Sequence, residues 1–119
     1  MAFVNRIERT AGDSGDLRVQ IMMNKKEPYD LTNVTKIQIG FDQQLNPTTV
    51  SPDAVMEGSV DSGLEAQGWA TFTDNGLDDL AALTAGEYYG QIRFVDAGKI
   101  WSTNKFKVEL ETPLFDITP

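Results

Sequence analysis

The sequence predicts an all-β domain, an antiparallel sandwich of about seven short strands with one short helical corner. Three observations predict it. Apolar and polar residues alternate with period two in several segments, the signature of strands buried on one face. Polar, glycine-bearing turns separate those segments at the spacing of antiparallel β proteins. The 119 residues are 40% hydrophobic and 24% charged, ordinary globular usage, and enough chain for one domain with its own core.

The first strand is expected over residues 2–8, followed by a polar loop, 10–16, that carries Gly12 and Gly15. The second covers 17–23, where Leu17, Val19, Ile21 and Met23 alternate with Arg18, Gln20 and Met22. The third covers 34–43, with Ile37, Ile39 and Phe41 on one face and Lys36, Gln38 and Asp42 on the other. Pro47 and Pro52 make 45–52 a loop or weak edge, because proline cannot donate to a ladder. Residues 54–60 read as a weak strand. Residues 68–73 read as a better one, with Trp69 and Phe72 on opposite faces.

Leu77, Leu80 and Leu83 are spaced by three behind Asp74, Asp78 and Asp79, which predicts one or two helical turns ending near Gly86. The strongest strand is 87–95. Tyr88, Ile92 and Phe94 share one face, and Tyr89, Gln91, Arg93 and Val95 share the other. Asp96-Ala97-Gly98-Lys99 is a hairpin turn with Gly98 supplying a positive φ. Residues 100–110 return as its partner, with a bulge expected at Ser102-Thr103-Asn104. The sandwich is assigned to 1–111. Residues 112–119 form a tail whose Pro113, Leu114, Phe115 and Ile117 are unusually apolar for a terminus, and these four are the candidate protein-contact residues.

Tyr88 opens the strongest strand just after the corner, where an immunoglobulin-like sandwich places the tyrosine of its tyrosine corner. The plainer reading is a core aromatic on a strand.

Composition removes whole classes of chemistry. With no cysteine and no histidine there are no disulfides, no thiolate nucleophile, no Ser-His pair and no Cys/His zinc site. Packing alone must hold such a fold, which suits a reducing compartment. The net charge of −8 opposes binding to nucleic acid and to anionic lipid, and its scattered distribution fits a solubilising role. No stretch is long and apolar enough to cross a membrane as a helix, and the charged first residues do not read as a signal peptide.

Asp78-Asp79 and the Asp13/Asp16 loop hold paired carboxylates, but nothing in their spacing aims two of them into one pocket. Asp74, Asn75, Asp78 and Asp79 offer oxygen ligands for calcium without the EF-hand spacing, and helix capping accounts for them as well. Trp69, Tyr89 and Trp101 would make a sugar-stacking platform if they faced outward together, so a glycan is a conceivable partner; core packing is the alternative. No catalytic residue, cofactor or metal is expected, and the chain reads as non-enzymatic.

Residues 83–101, Leu-Thr-Ala-Gly-Glu-Tyr-Tyr-Gly-Gln-Ile-Arg-Phe-Val-Asp-Ala-Gly-Lys-Ile-Trp, run from a corner through Ala-Gly-x-Tyr and a strand to an Asp-x-x-Gly-Lys hairpin. This pattern resembles small immunoglobulin-like domains of tailed-phage virion proteins, namely the baseplate-upper-protein-like N-terminal domains and related tail and fibre modules. Asp30-Leu31-Thr32 ahead of an alternating strand is similar to their Asp-Leu-Thr-Gly-Ala segment, with Asn33 here in place of the glycine. The resemblance covers roughly residues 30–110. Such domains often continue into a coiled coil or fibre, where this sequence stops at Pro119.

The resemblance implies an immunoglobulin-like fold, a structural role in a virion assembled in the host cytoplasm, and other virion subunits and further copies of the chain as partners. It brings no catalytic residues. A carbohydrate-binding or adhesion module and a capsid decoration protein are the alternatives.

Overall fold

The computed structural model describes residues 2–5, 7–13, 15–73, 82–115 and 117. It is all-β, an immunoglobulin-like sandwich made from one curled sheet. Eight strands follow in order: β1 (Ile7–Thr10), β2 (Leu17–Gln20), β3 (Val34–Asp42), β4 (Ala54–Val60), β5 (Trp69–Phe72), β6 (Gly86–Asp96), β7 (Lys99–Ser102) and β8 (Phe106–Glu111). They are ordered β1-β8-β6-β3-β4-β5-β2 across the sheet, and β7 pairs with β6 off that path. All pairings are antiparallel except β1 with β8, which is parallel.

β4 joins the two layers. Its first half pairs with β3 (Ala54 opposite Phe41, Met56 opposite Ile39), and its last residues pair with β5 (Gly58 opposite Phe72, Val60 opposite Ala70). The residue that turns the corner is a glycine because the ring behind it sits so close: a Cβ at Gly58 would stand 2.6 Å from the Phe72 ring.

The period-two pattern is realised where it was strongest. Ile37, Ile39 and Phe41 of β3 and Tyr88, Ile92 and Phe94 of β6 are all buried, with Phe72, Met56 and Val108 among the side chains packed on them. Burying each large apolar side chain contributes roughly 2–3 kcal/mol, so these rows define the inner faces.

The N-terminal segment departs from the expected strand over 2–8. Phe3 pairs with Met22 of the second layer, whereas Ile7–Thr10 pairs with β8 of the first. The chain changes layer in between. Asn104 holds that crossing: its Oδ1 accepts from the Val4 N–H at 2.8 Å and its Nδ2 donates to the Val4 carbonyl at 3.3 Å. One side chain thus pairs with Val4 as a peptide group would, and satisfies backbone that no ladder serves.

The return strand expected over 100–110 is two strands. β7 faces the turn end of β6 and β8 faces its start, with 103–105 between them. Thr103, 2% exposed, fills the break. Its hydroxyl accepts from the Ile92 N–H at 3.1 Å and donates to the Asn104 carbonyl at 2.9 Å. A polar group this deep would cost about 1–3 kcal/mol unpaired; here it replaces a missing ladder bond.

The hairpin turn forms where expected, at Asp96-Ala97-Gly98-Lys99, and Ala97 (φ 51°) as well as Gly98 (φ 80°) is left-handed between paired Asp96 and Lys99. That is the two-residue turn whose twist matches the strands. The predicted helical corner at 77–83 lies outside the described residues except Ala82, which is in 3-10 conformation, and Leu83, which packs against the core. A further 3-10 turn occurs at Glu65–Gln67.

Candidate functional site

The described surface offers three places where chemistry or recognition could occur: the outer face of β2 and β5, a groove over β3 and β6, and the free edge of β7 together with the C-terminal segment.

On the outer face of β2 and β5, alternation turns Arg18, Trp69 and Thr71 outward. The Arg18 guanidinium lies 4.2 Å from the Trp69 ring centroid, a cation–π contact. Its Nε donates to Asp61 Oδ2 at 2.7 Å, and the Thr71 hydroxyl donates to Asp61 Oδ1 at 2.7 Å. The Arg18 hydrogen bond, then that of Thr71, holds the Asp61 carboxyl below its ordinary value. Both Asp61 oxygens, the Arg18 Nε and the Thr71 hydroxyl are engaged with one another, so the cluster acts as a structural clasp.

The groove, roughly 630 Å³, runs over the outer face of β3 and β6. Gln38, Gly40 and Gln91 form its floor, Tyr89 and Arg93 flank it, and Leu45 and Val50 of the 43–53 loop form one wall. Lys105 pins that loop, donating to the Leu45 carbonyl at 2.6 Å and to Asn46 Oδ1 at 3.1 Å. Two floor amides are already engaged: Gln91 donates to the Thr103 carbonyl and Gln38 to Glu57. No pair of titratable groups converges here.

The three aromatic residues considered for a sugar platform are not brought together. Tyr89 borders this groove, Trp69 is under Arg18 on the opposite layer, and Trp101 is on β7. The carboxylates and amide of 74, 75, 78 and 79 lie outside the described residues. Among the described residues no cluster of three or more acidic side chains could hold a metal ion.

Tyr88 is 3% exposed and its hydroxyl donates to the Thr84 carbonyl at 2.9 Å, four residues upstream. That is tyrosine-corner geometry, and it fixes the entry into β6. Its role is structural.

What remains uncovered is apolar. Leu114, Phe115 and Ile117 are 99%, 74% and 83% exposed; Pro113 is half-buried. At the other end of the sheet, Ile100 and Trp101 are 67% and 49% exposed. β7 pairs only with β6 among the described residues, so its second edge is open. The sequence reading marked the tail but missed Ile100 and treated Trp101 as core or platform. The signal was in the pattern: Lys99-Ile100-Trp101-Ser102 places two large apolar residues side by side, and a strand must turn one of them outward.

No family model matches the sequence, and no curated protein matches it. Among solved structures, the chain is similar to CopC from Methylosinus trichosporium OB3b, at 12% identity and a TM-score of 0.49, over 97% of this chain and 100% of that one.

Proposed function

We propose that this chain is a non-enzymatic structural protein of a phage virion, a component of its tail, baseplate or fibre attachment. It works by presenting sheet edges and its C-terminal segment to other copies of itself and to other subunits. The observation that carries the assembly part is the exposure of Leu114, Phe115 and Ile117. Leaving three large apolar side chains in water forfeits on the order of 2 kcal/mol each relative to burial, and contiguous exposed apolar surface of this kind marks interaction sites. The virion part rests on the resemblance of residues 83–101 and 30–32 to phage tail and fibre modules. A fold held by packing alone, with no cysteine, suits assembly in a reducing host cytoplasm.

Quantitative mass spectrometry of purified particles of the phage that encodes the chain tests this. The chain is expected at a fixed copy number per particle. Its absence from particles, with the chain present in the infected cell, would overturn the assignment.

A further inference from the structure

We propose that the C-terminal segment of one copy adds as an extra strand to the free edge of β7 in a second copy, joining copies head to tail. This rests on the assembly reading above and names the surface and the segment that serve it.

The acceptor edge has free backbone. In a two-residue hairpin Asp96 and Lys99 form a hydrogen-bonded pair, so residues 99, 101 and 103 aim their N–H and C=O groups at β6. The Thr103 N–H donating to the Ile92 carbonyl at 2.9 Å fits that phase. Ile100 and Ser102 therefore aim their backbone groups away from β6, toward the open edge. An open edge flanked by exposed apolar side chains is a template for strand addition.

The donor matches both faces of that edge. In an extended chain Phe115 and Ile117 fall on one side, Leu114 and Asp116 on the other. On β7, Trp101 lies on one face; Ile100 and Ser102 lie on the other, with Arg93 directly across from Ser102 and bonded to its hydroxyl. Phe115 and Ile117 would cover Trp101, Leu114 would meet Ile100, and Asp116 would approach Arg93. The charges are complementary as well. Lys36 and Arg93 lie on the Ile100 face, two of only ten cations in a chain of net charge −8, while Lys99 lies on the Trp101 face opposite Asp96. Residues 111–119 carry Glu111 and Asp116 and no cation.

Geometry makes the donor a second copy. Leu110 lies opposite Gly86, and Ser102 lies opposite Arg93. Those two positions on β6 are seven residues of extended strand apart, roughly 23 Å. From Leu110 to Leu114 the chain spans at most about 14 Å, so Leu114 falls well short of Ile100 and the 114–117 segment cannot lie along its own β7 edge. Donor and acceptor sit at opposite ends of one sheet, and such a contact propagates into a closed ring or an open chain.

The test uses light scattering on three preparations at matched concentration. Ile100→Pro removes an outward N–H from the edge while sparing the β6–β7 bonds. Trp101→Asp is the second edge variant; it leaves the backbone intact and sets a carboxylate against the acidic tail. The tail variant ends at Thr112. The full chain is expected to form assemblies larger than a dimer, and each variant alone to be monomeric. An edge variant mixed with the tail variant should give a 1:1 dimer that grows no further, since one intact edge then meets one intact tail. Assemblies that survive either lesion would overturn the docking and leave the assembly reading standing. So would a mixture that stays monomeric, or a full chain monomeric at millimolar concentration. The particle analysis alone decides whether the chain is a virion protein.

Discussion

The chain has two tryptophans, and the two layers treat them in opposite ways. Trp69 on β5 is covered by a guanidinium that is itself held by Asp61, which is held in turn by Thr71. Trp101 on β7 is half-exposed beside an exposed Ile100, on a strand with one neighbour among the described residues. In sequence Trp69 sits between Gly68 and Ala70, and Trp101 between Ile100 and Ser102. What separates them is the sheet around them. β5 lies between β2 and β4, so its outer face is bordered by side chains that can close over a ring; β7 lies at an edge, and nothing in the described fold borders its far side. The first is a finished surface, and the second is an unfinished one.

The finished side breaks most readily at Gly68, which leads into β5. Its φ is +80°, and a Cβ there would stand 2.2 Å from the Ile21 carbonyl oxygen. The Ile21 N–H also donates to the Gly68 carbonyl at 2.8 Å. Gly68→Ala is expected to cost about 3 kcal/mol or more, from backbone strain and a clash that no side-chain rotation relieves. Urea unfolding measures it, and a midpoint within error of the parent would show that the Trp69 surface is not held as described.

Asp61→Asn sharpens the same side through pH. The Asp61 carboxyl is depressed in the fold by Arg18 and Thr71, so its stabilisation is complete above the unfolded carboxylate value near 3.9 and is lost as pH falls through the lower folded value. The pair is partly exposed and should be worth about 1 kcal/mol. The stability difference between parent and Asp61→Asn should hold steady from about pH 7 to pH 5 and shrink below about pH 4. A gap that widens in acid would contradict the assignment.

On the unfinished side, the hairpin carries a residue ill suited to its backbone. Ala97 has φ 51°, a region that costs an alanine roughly 1 kcal/mol or more and suits asparagine better. Ala97→Asn is expected to raise stability by about 0.5–1 kcal/mol, read as a rise of a few degrees in Tm. An unchanged or lower Tm would mean the turn is not the left-handed pair seen here.

The smallest stability effect should come from Trp101→Ser. Loss of a half-exposed edge side chain is expected to move stability by less than about 0.5 kcal/mol, whereas Trp69→Ser removes the platform under Arg18 and should cost more. Equal losses at the two tryptophans would erase the distinction between the layers.

Much of this fold was legible in the sequence, and for a physical reason. β3 and β6 are long, buried on one face and wet on the other, so Ile37, Ile39, Phe41, Tyr88, Ile92 and Phe94 had to recur with period two. The turn at Ala97-Gly98 was legible because only a few residue pairs make it, although the left-handed Ala97 was not. Residues 54–60 read as weak because Gly58 lowers strand propensity; the glycine is there for the Phe72 ring, a contact between distant positions that no local pattern records. The layer change between Phe3 and Ile7 was hidden for the same reason, since it depends on Asn104, a hundred positions away from Val4.

The candidate site was half legible. An apolar segment such as Leu114-Phe115-Asp116-Ile117 stands out in any polar terminus. The edge at Ile100 and Trp101 did not, because a strand's place at the end of a sheet is a property of topology and not of its own four residues.

The solution mass of the full chain, set against that of the chain ending at Thr112, tests the central claim most directly. The account predicts a defined assembly that falls to the monomer mass of the 13.2 kDa chain, less its tail, when residues 113–119 are removed. The same oligomeric state with and without those residues would contradict it.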